Sequence, residues 1–123
     1  MKTNNEELEQ TWLIQWATML SSQHKELALL HHIPNGGLRS KSEAKRLKAA
    51  GVKAGVPDLC LPVARQGYHG LYIELKAGKG KATASQKQWL DALNAQGYKA
   101  IICYGWIEAA KVIIDYMDLD VQV

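Results

Sequence analysis

Gly55-Val56-Pro57-Asp58-Leu59-Cys60-Leu61 and Leu71-Tyr72-Ile73-Glu74-Leu75-Lys76-Ala77 are two apolar runs, each carrying charge near its centre. Their length and their Val, Leu, Ile and Tyr content predict buried strands, roughly Asp58 to Val63 and Leu71 to Ala77. The turn-rich Arg65-Gln66-Gly67-Tyr68-His69-Gly70 between them is short, which predicts an antiparallel hairpin. Pro57 biases Val56 toward extended backbone and helps to set where the first strand starts. In such a pair Glu74 can face Asp58, and Lys76 shares the face of Glu74 because strand residues two apart do so.

Charges in apolar strands are costly unless they are paired or bind a metal. Two facing carboxylates repel each other, and a bridging Mg²⁺ would relieve that. The Leu75 carbonyl and waters are candidates to complete its shell. Hard oxygen donors beside a lysine suit metal-assisted phosphodiester cleavage, with Lys76 orienting the attacking water or stabilising charge on the phosphate. A plainer reading makes Glu74 and Lys76 an ion pair on an exposed sheet face and Asp58 a turn cap. It accounts for each residue alone but not for the ordered set.

Outward from this pair, Glu6 to about Ser22 has a helical period through Leu8, Trp12, Leu13, Trp16, Ala17 and Leu20. Glu6, Glu7 and Glu9 suit its positive N-terminal end. Glu26 to Ile33 is expected to be a strand, ended by the turn Pro34-Asn35-Gly36-Gly37. Ser42 to Ala50 reads as a short basic helix capped by Ser42 and stopped by Gly51. Lys79-Gly80-Lys81 opens a flexible basic loop. Ser85 to Gln96 is a helix with Gly97 as its stop, Lys99 to Tyr104 a strand, and Trp106 to Met117 a final amphipathic helix. The last six residues are expected to fray or to add an edge strand. Trp12, Trp16, Trp89 and Trp106 fall at core-facing helical positions, with Trp12 and Trp16 also suited to a subunit interface. The sum is one α/β domain over residues 1–123, with a central mixed β-sheet flanked by α-helices.

Composition narrows the function. Residues 39–87 hold eleven Lys/Arg against three Asp/Glu, a net charge of +8 in a chain whose total is +3. A basic field around an acidic pocket suits a polyanionic substrate whose phosphate must meet a metal. Arg39, Lys41, Lys45, Arg46 and Lys53, with Lys79 and Lys81 after the second strand, are the candidate DNA-phosphate contacts. No run approaches the ~18 apolar residues of a membrane span. The polar, acidic N-terminus is not a signal peptide. Cys60 and Cys103, far apart in apolar segments, are expected to be free thiols in a reducing cytoplasm. Gly78-Lys79-Gly80-Lys81 lacks the spacing of a phosphate-binding P-loop. His31-His32 reads as a pair of partly buried strand histidines, and no zinc-ligand spacing exists.

Pro57-Asp58 followed by Glu74-Leu75-Lys76 resembles the motif of the PD-(D/E)xK nuclease superfamily. With Gly55-Val56, Ile73, and Ser85-Gln86-x-x-Trp89-Leu90, the ensemble resembles the VRR-NUC branch. It is most similar to the small stand-alone members found in phages and bacteria, as are Ile33-Pro34-Asn35-Gly36-Gly37-x-Arg39 and Tyr68-His69-Gly70-Leu71-Tyr72. The resemblance spans about residues 6 to 114. It implies a restriction-endonuclease-like core and a Mg²⁺- or Mn²⁺-dependent endodeoxyribonuclease. It assigns Asp58, Glu74 and the Leu75 carbonyl to the metal, Lys76 to catalysis, and Gln86 to the family's active-site glutamine. The family's first-helix glutamate falls on Glu6, with Glu9 as the runner-up. It further implies a structure-directed activity of Holliday-junction-resolvase type and a homodimer. The rivals are a general or restriction-type DNA endonuclease and a catalytically silent DNA-binding module.

Overall fold

A computed structural model describes residues 4–34 and 40–123. Among the described residues, four α-helices and four strands follow one another, with one 3₁₀ helix besides. They are α1 (Asn4–Leu20), β1 (His31–His32), α2 (Lys41–Ala49), β2 (Leu59–Leu61), β3 (Leu71–Lys76), α3 (Ala84–Ala95), β4 (Lys99–Tyr104) and α4 (Trp106–Met117). The strands form one sheet in the order β1-β2-β3-β4. β1 pairs antiparallel with β2 and β2 with β3, as the short hairpin connection requires; β4 lies parallel to β3, reached through α3. The mixed α/β sheet expected from the sequence is therefore present.

The core follows from alternation in the strands and the 3.6 period in the helices. Leu59 and Leu61 of β2, Leu71, Ile73 and Leu75 of β3, and Cys103 of β4 turn one way. They meet Leu13, Trp16 and Ala17 of α1 and Ala109, Ala110, Ile113, Tyr116 and Met117 of α4. Each fully buried Leu or Ile there contributes ~1.5–3 kcal/mol of hydrophobic free energy. The intervening strand residues, among them Glu74 and Lys76, necessarily point to the opposite face.

Several expectations are corrected. The region of the predicted Glu26–Ile33 strand is a 3₁₀ helix, Lys25–Leu29, followed by the two-residue β1. Leu27 and Leu30 are its core anchors, at a spacing a strand would put on opposite faces. His31 and His32 are both exposed, not partly buried. Ser40 rather than Ser42 caps α2, accepting from the Glu43 N–H at 3.1 Å. Trp12 is 44% exposed, whereas Trp16 is buried and Trp89 and Trp106 are half-buried. Together with Gln15 and Met19, Trp12, Trp16 and Trp106 line an open apolar groove of about 480 Å³. Residues 118–123 form no strand. Among the described residues no helix is long and apolar enough to cross a membrane.

One glycine sets how α3 meets the strand ahead of it. Gly55 has φ +89°, and a Cβ there would lie 2.8 Å from the Ser85 backbone. Thr83 and Gln86 close a capping box at the same end of α3, through Gln86 N–H to Thr83 Oγ1 (3.2 Å) and Thr83 N–H to Gln86 Oε1 (2.9 Å). Gly55→Ala is expected to lower stability by at least about 2 kcal/mol in urea unfolding, from the left-handed backbone and the clash together. A loss under about 0.5 kcal/mol would show that α3 can move away freely.

Candidate functional site

The register of β2 and β3 builds the site. Leu59 stands opposite Ile73 and Cys60 opposite Tyr72, so the next positions outward set Asp58 against Glu74 and Pro57 against Leu75. Leu59 and Ile73 belong to the pairs that exchange hydrogen bonds, and position 57 with Leu75 would be the next such pair. Proline has no N–H to give the Leu75 carbonyl. The Leu75 N–H is taken instead by the Asp58 carboxylate, Oδ2 at 2.8 Å. A strand residue's N–H and C=O face the same side, so the Leu75 carbonyl points toward Asp58 as well. The Pro-Asp pair thus ends the ladder and puts a carboxylate where a backbone partner would be.

Asp58, Glu74 and Lys76 are all buried, at 7, 2 and 6% exposure. Lys76 Nζ lies 3.4 Å from Glu74 Oε2. Glu74 Oε1 is buried and has no hydrogen-bond partner among the described residues. Burial raises the Glu74 pKa, the Asp58 charge raises it further, and Lys76 offsets only part, leaving it at about 7. A buried carboxylate that resists ionisation and keeps one oxygen unsatisfied fits a place where a cation could complete the electrostatics.

The sequence alone left the first-helix acid open between Glu6 and Glu9, and the structure separates their surroundings. Glu9 Oε1 accepts from the Trp106 N–H at 2.7 Å, at the first turn of α4. It thereby caps the positive end of that helix, whose own N-cap residue, Gly105, has no side chain. Glu6 is buried. A Cβ on Gly80 would stand 3.4 Å from Glu6 Oε2 and 3.6 Å from Lys76 Cδ, so one glycine lies against both side chains. The Lys79-Gly80-Lys81 loop thus runs along the site, and its glycine is a contact that sequence reasoning missed. The residues adjacent to that glycine, two exposed lysines, were its visible signal.

Gln86 is half-buried in the first turn of α3, with its amide oxygen held in the capping box. Lys41, Lys45, Arg46 and Lys53 lie on or just after α2, and with Lys79 and Lys81 all are exposed. None of α2 is buried. Arg39 lies outside the described residues, as does the Asn35-Gly36-Gly37 turn. Cys60 and Cys103 are buried free thiols, and burial pushes the Cys103 thiol up to about 12, so it stays protonated near neutral pH.

Among the described residues no three His, Cys, Asp or Glu side chains form a ready-made metal cluster. The oxygens that the strand register brings together are of another kind: the facing Asp58 and Glu74 carboxylates, with the Leu75 carbonyl on the β2 side of β3. Such an all-oxygen set fits a small hard cation and does not fit zinc.

The VRR-NUC domain profile matches residues 2–106 of the chain. A solved structure described as a VRR_NUC domain protein is similar over 97% of this chain and 93% of its own length, at 35% identity and a TM-score of 0.79. No curated protein matches the sequence.

The raised Glu74 pKa has a definite sign in stability. Between pH 4.5 and about 7 the folded, metal-free protein holds a proton that the unfolded chain has released. The contribution is complete below pH 4.5 and disappears as pH rises through 7. In EDTA, wild type should therefore lose stability relative to Glu74→Gln across that window, by on the order of 1–3 kcal/mol. A wild-type-minus-variant difference independent of pH in urea unfolding would contradict the assignment.

Proposed function

The chain belongs to the VRR-NUC domain family of nucleases, and from that membership we propose that it is a divalent-metal-dependent endodeoxyribonuclease acting on structured DNA. The observation that carries the proposal is the buried, half-satisfied Glu74 carboxylate in register with Asp58 and 3.4 Å from Lys76. Asp58, Glu74 and the Leu75 carbonyl would hold the cation, with Glu6 as the further acidic donor. When bound, Mg²⁺ or Mn²⁺ supplies charge neutralisation at the scissile phosphate and lowers the pKa of a water.

The protein's part is positioning. Asp58 is oriented by the Leu75 N–H, and Glu74 is held by burial and by Lys76. Lys76, whose side chain is buried, can donate to the attacking water or to a phosphate oxygen, and its charge offsets the negative charge that develops on the phosphate in the pentacoordinate transition state. Gln86 presents its amide from the first turn of α3, while its oxygen keeps that turn closed. The exposed lysines of the Gly80 loop border this centre and supply phosphate contacts. Lys41, Lys45, Arg46 and Lys53, together with Arg39, extend the basic surface. Phosphate contacts carry affinity and little sequence information, so recognition by shape suits this chain. A branched substrate such as a four-way junction, cut by a homodimer with two active sites, is the most specific form of the proposal. The exposed apolar groove around Trp12 is in keeping with it.

Labelled four-way junction, flap, splayed and linear duplex DNA, each with and without Mg²⁺ or Mn²⁺, test the substrate. Paired symmetric cuts in the junction are expected; equal cutting of linear duplex would favour a general endonuclease. Binding without metal-dependent cleavage would favour a silent binding module. Asp58→Ala, Glu74→Ala and Lys76→Ala should each reduce cleavage by on the order of 10³-fold or more with DNA binding retained. Turnover persisting in all three would remove the site.

The two first-helix acids should part in opposite ways. Glu6→Gln should raise the Mn²⁺ concentration needed for half-maximal cleavage by roughly 10-fold with little change in melting temperature. Glu9→Gln should leave that concentration unchanged and cost about 1 kcal/mol of stability. The reverse pattern would exchange their roles.

A further inference from the structure

We propose that His32 is a positioning residue that sets where the Asp58 carboxylate lies, by donating from Nδ1 to the Asp58 backbone carbonyl. The ladder between β2 and β3 begins at Leu59, and residue 58 stands just beyond it. On its other side the Asp58 carbonyl receives two donors, the Ile33 N–H at 2.7 Å and His32 Nδ1 at 2.8 Å. Both lone pairs of that oxygen are thereby used. A carbonyl has no proton to give, so the His32 proton must be on Nδ1.

β1 has only two residues and lies at the edge of the sheet, too short to immobilise its neighbour by ladder bonds alone. The His32 side chain supplies one of the two hydrogen bonds to the Asp58 carbonyl. The adjacent His31 uses the same nitrogen differently, bonding at 2.9 Å to the Leu29 carbonyl within its own segment. His32 instead spans 26 positions to reach the residue that carries the carboxylate. An aspartate has a short side chain, so a drift of its backbone moves the carboxylate almost one for one. The Leu75 N–H, 2.8 Å from Asp58 Oδ2, is then the nearest reporter of where that carboxylate lies. Its consequence for metal binding rests on the function proposed above; the positioning itself does not.

The tests use the full chain. His32→Asn offers an amide N–H near the place of Nδ1–H, whereas His32→Gln and His32→Ala do not. In metal-free protein, hydrogen exchange at the Leu75 amide should speed up roughly fivefold in the Gln and Ala variants. It should stay within about twofold of wild type in the Asn variant. A general loss of stability would instead accelerate amides throughout α4 to the same degree, and that result would overturn the proposal. Titration with Mn²⁺ alone should show roughly 10-fold weaker binding for Gln and Ala, with Asn restoring it. Equal Leu75 exchange in wild type, Asn and Ala would overturn the proposal, as would a long-range ¹H–¹⁵N spectrum placing the wild-type imidazole proton on Nε2. Faster Leu75 exchange in the Gln and Ala variants, with no Mn²⁺ bound even by wild type, would uphold the positioning and remove the metal reading instead.

Discussion

The hydrogen bond from the Leu75 N–H to the Asp58 carboxylate is the point on which the rest of the site depends. β3 runs on to Lys76 while its partner β2 begins at Leu59, so the sheet has an unmatched edge position at Leu75. An unpaired buried N–H there would cost about 1–3 kcal/mol. Asp58 removes that cost with a side chain, and in doing so commits its carboxylate to the opening. Pro57 prevents the alternative, because a residue with an N–H at that position could pair with the Leu75 carbonyl and extend the ladder.

The charges gathered at this opening work against the fold. Glu74 and Asp58 repel each other, burial disfavours the ionised form of Glu74, and Lys76 compensates only in part. A purely structural solution would place apolar residues at these positions, since buried ion pairs are frequently no better than hydrophobic replacements. Strain of this kind is usual where a cation or a charged substrate completes the electrostatics. The surrounding scaffold tolerates it because Leu59, Ile73 and Leu75, on the other face of the same strands, are packed into the core between α1 and α4.

Much of this was legible in the linear chain where one local rule applied. The ends of β4 and α4 coincide with those expected from the sequence because alternation or the 3.6 period runs unbroken between clear stops. The hairpin followed from a short, glycine-containing connection. Reading failed where tertiary packing chose between local options. Leu27 and Leu30 serve a 3₁₀ helix as well as a strand until a core exists to receive them. Trp12 fits the apolar stripe of α1, yet the stripe is wider than the surface that covers it, and Trp12 is left at the rim.

The candidate site divides in the same way. Asp58, Glu74 and Lys76 were determined by the sequence itself, because a period of two puts Glu74 and Lys76 on one face and a short hairpin brings Asp58 across from them. Only the tertiary structure separated the surroundings of Glu6 and Glu9. Both occupy the first turns of α1, and their surroundings come from segments some 70 to 100 residues away: the Gly80 loop beside Glu6, and the Trp106 N–H bound by Glu9. The link from His32 to Asp58 belongs to the same class, since nothing local to a histidine pair specifies which distant carbonyl one of them will reach. Periodicity carries information over a few residues, whereas contacts between segments exist only after the core has fixed their relative positions.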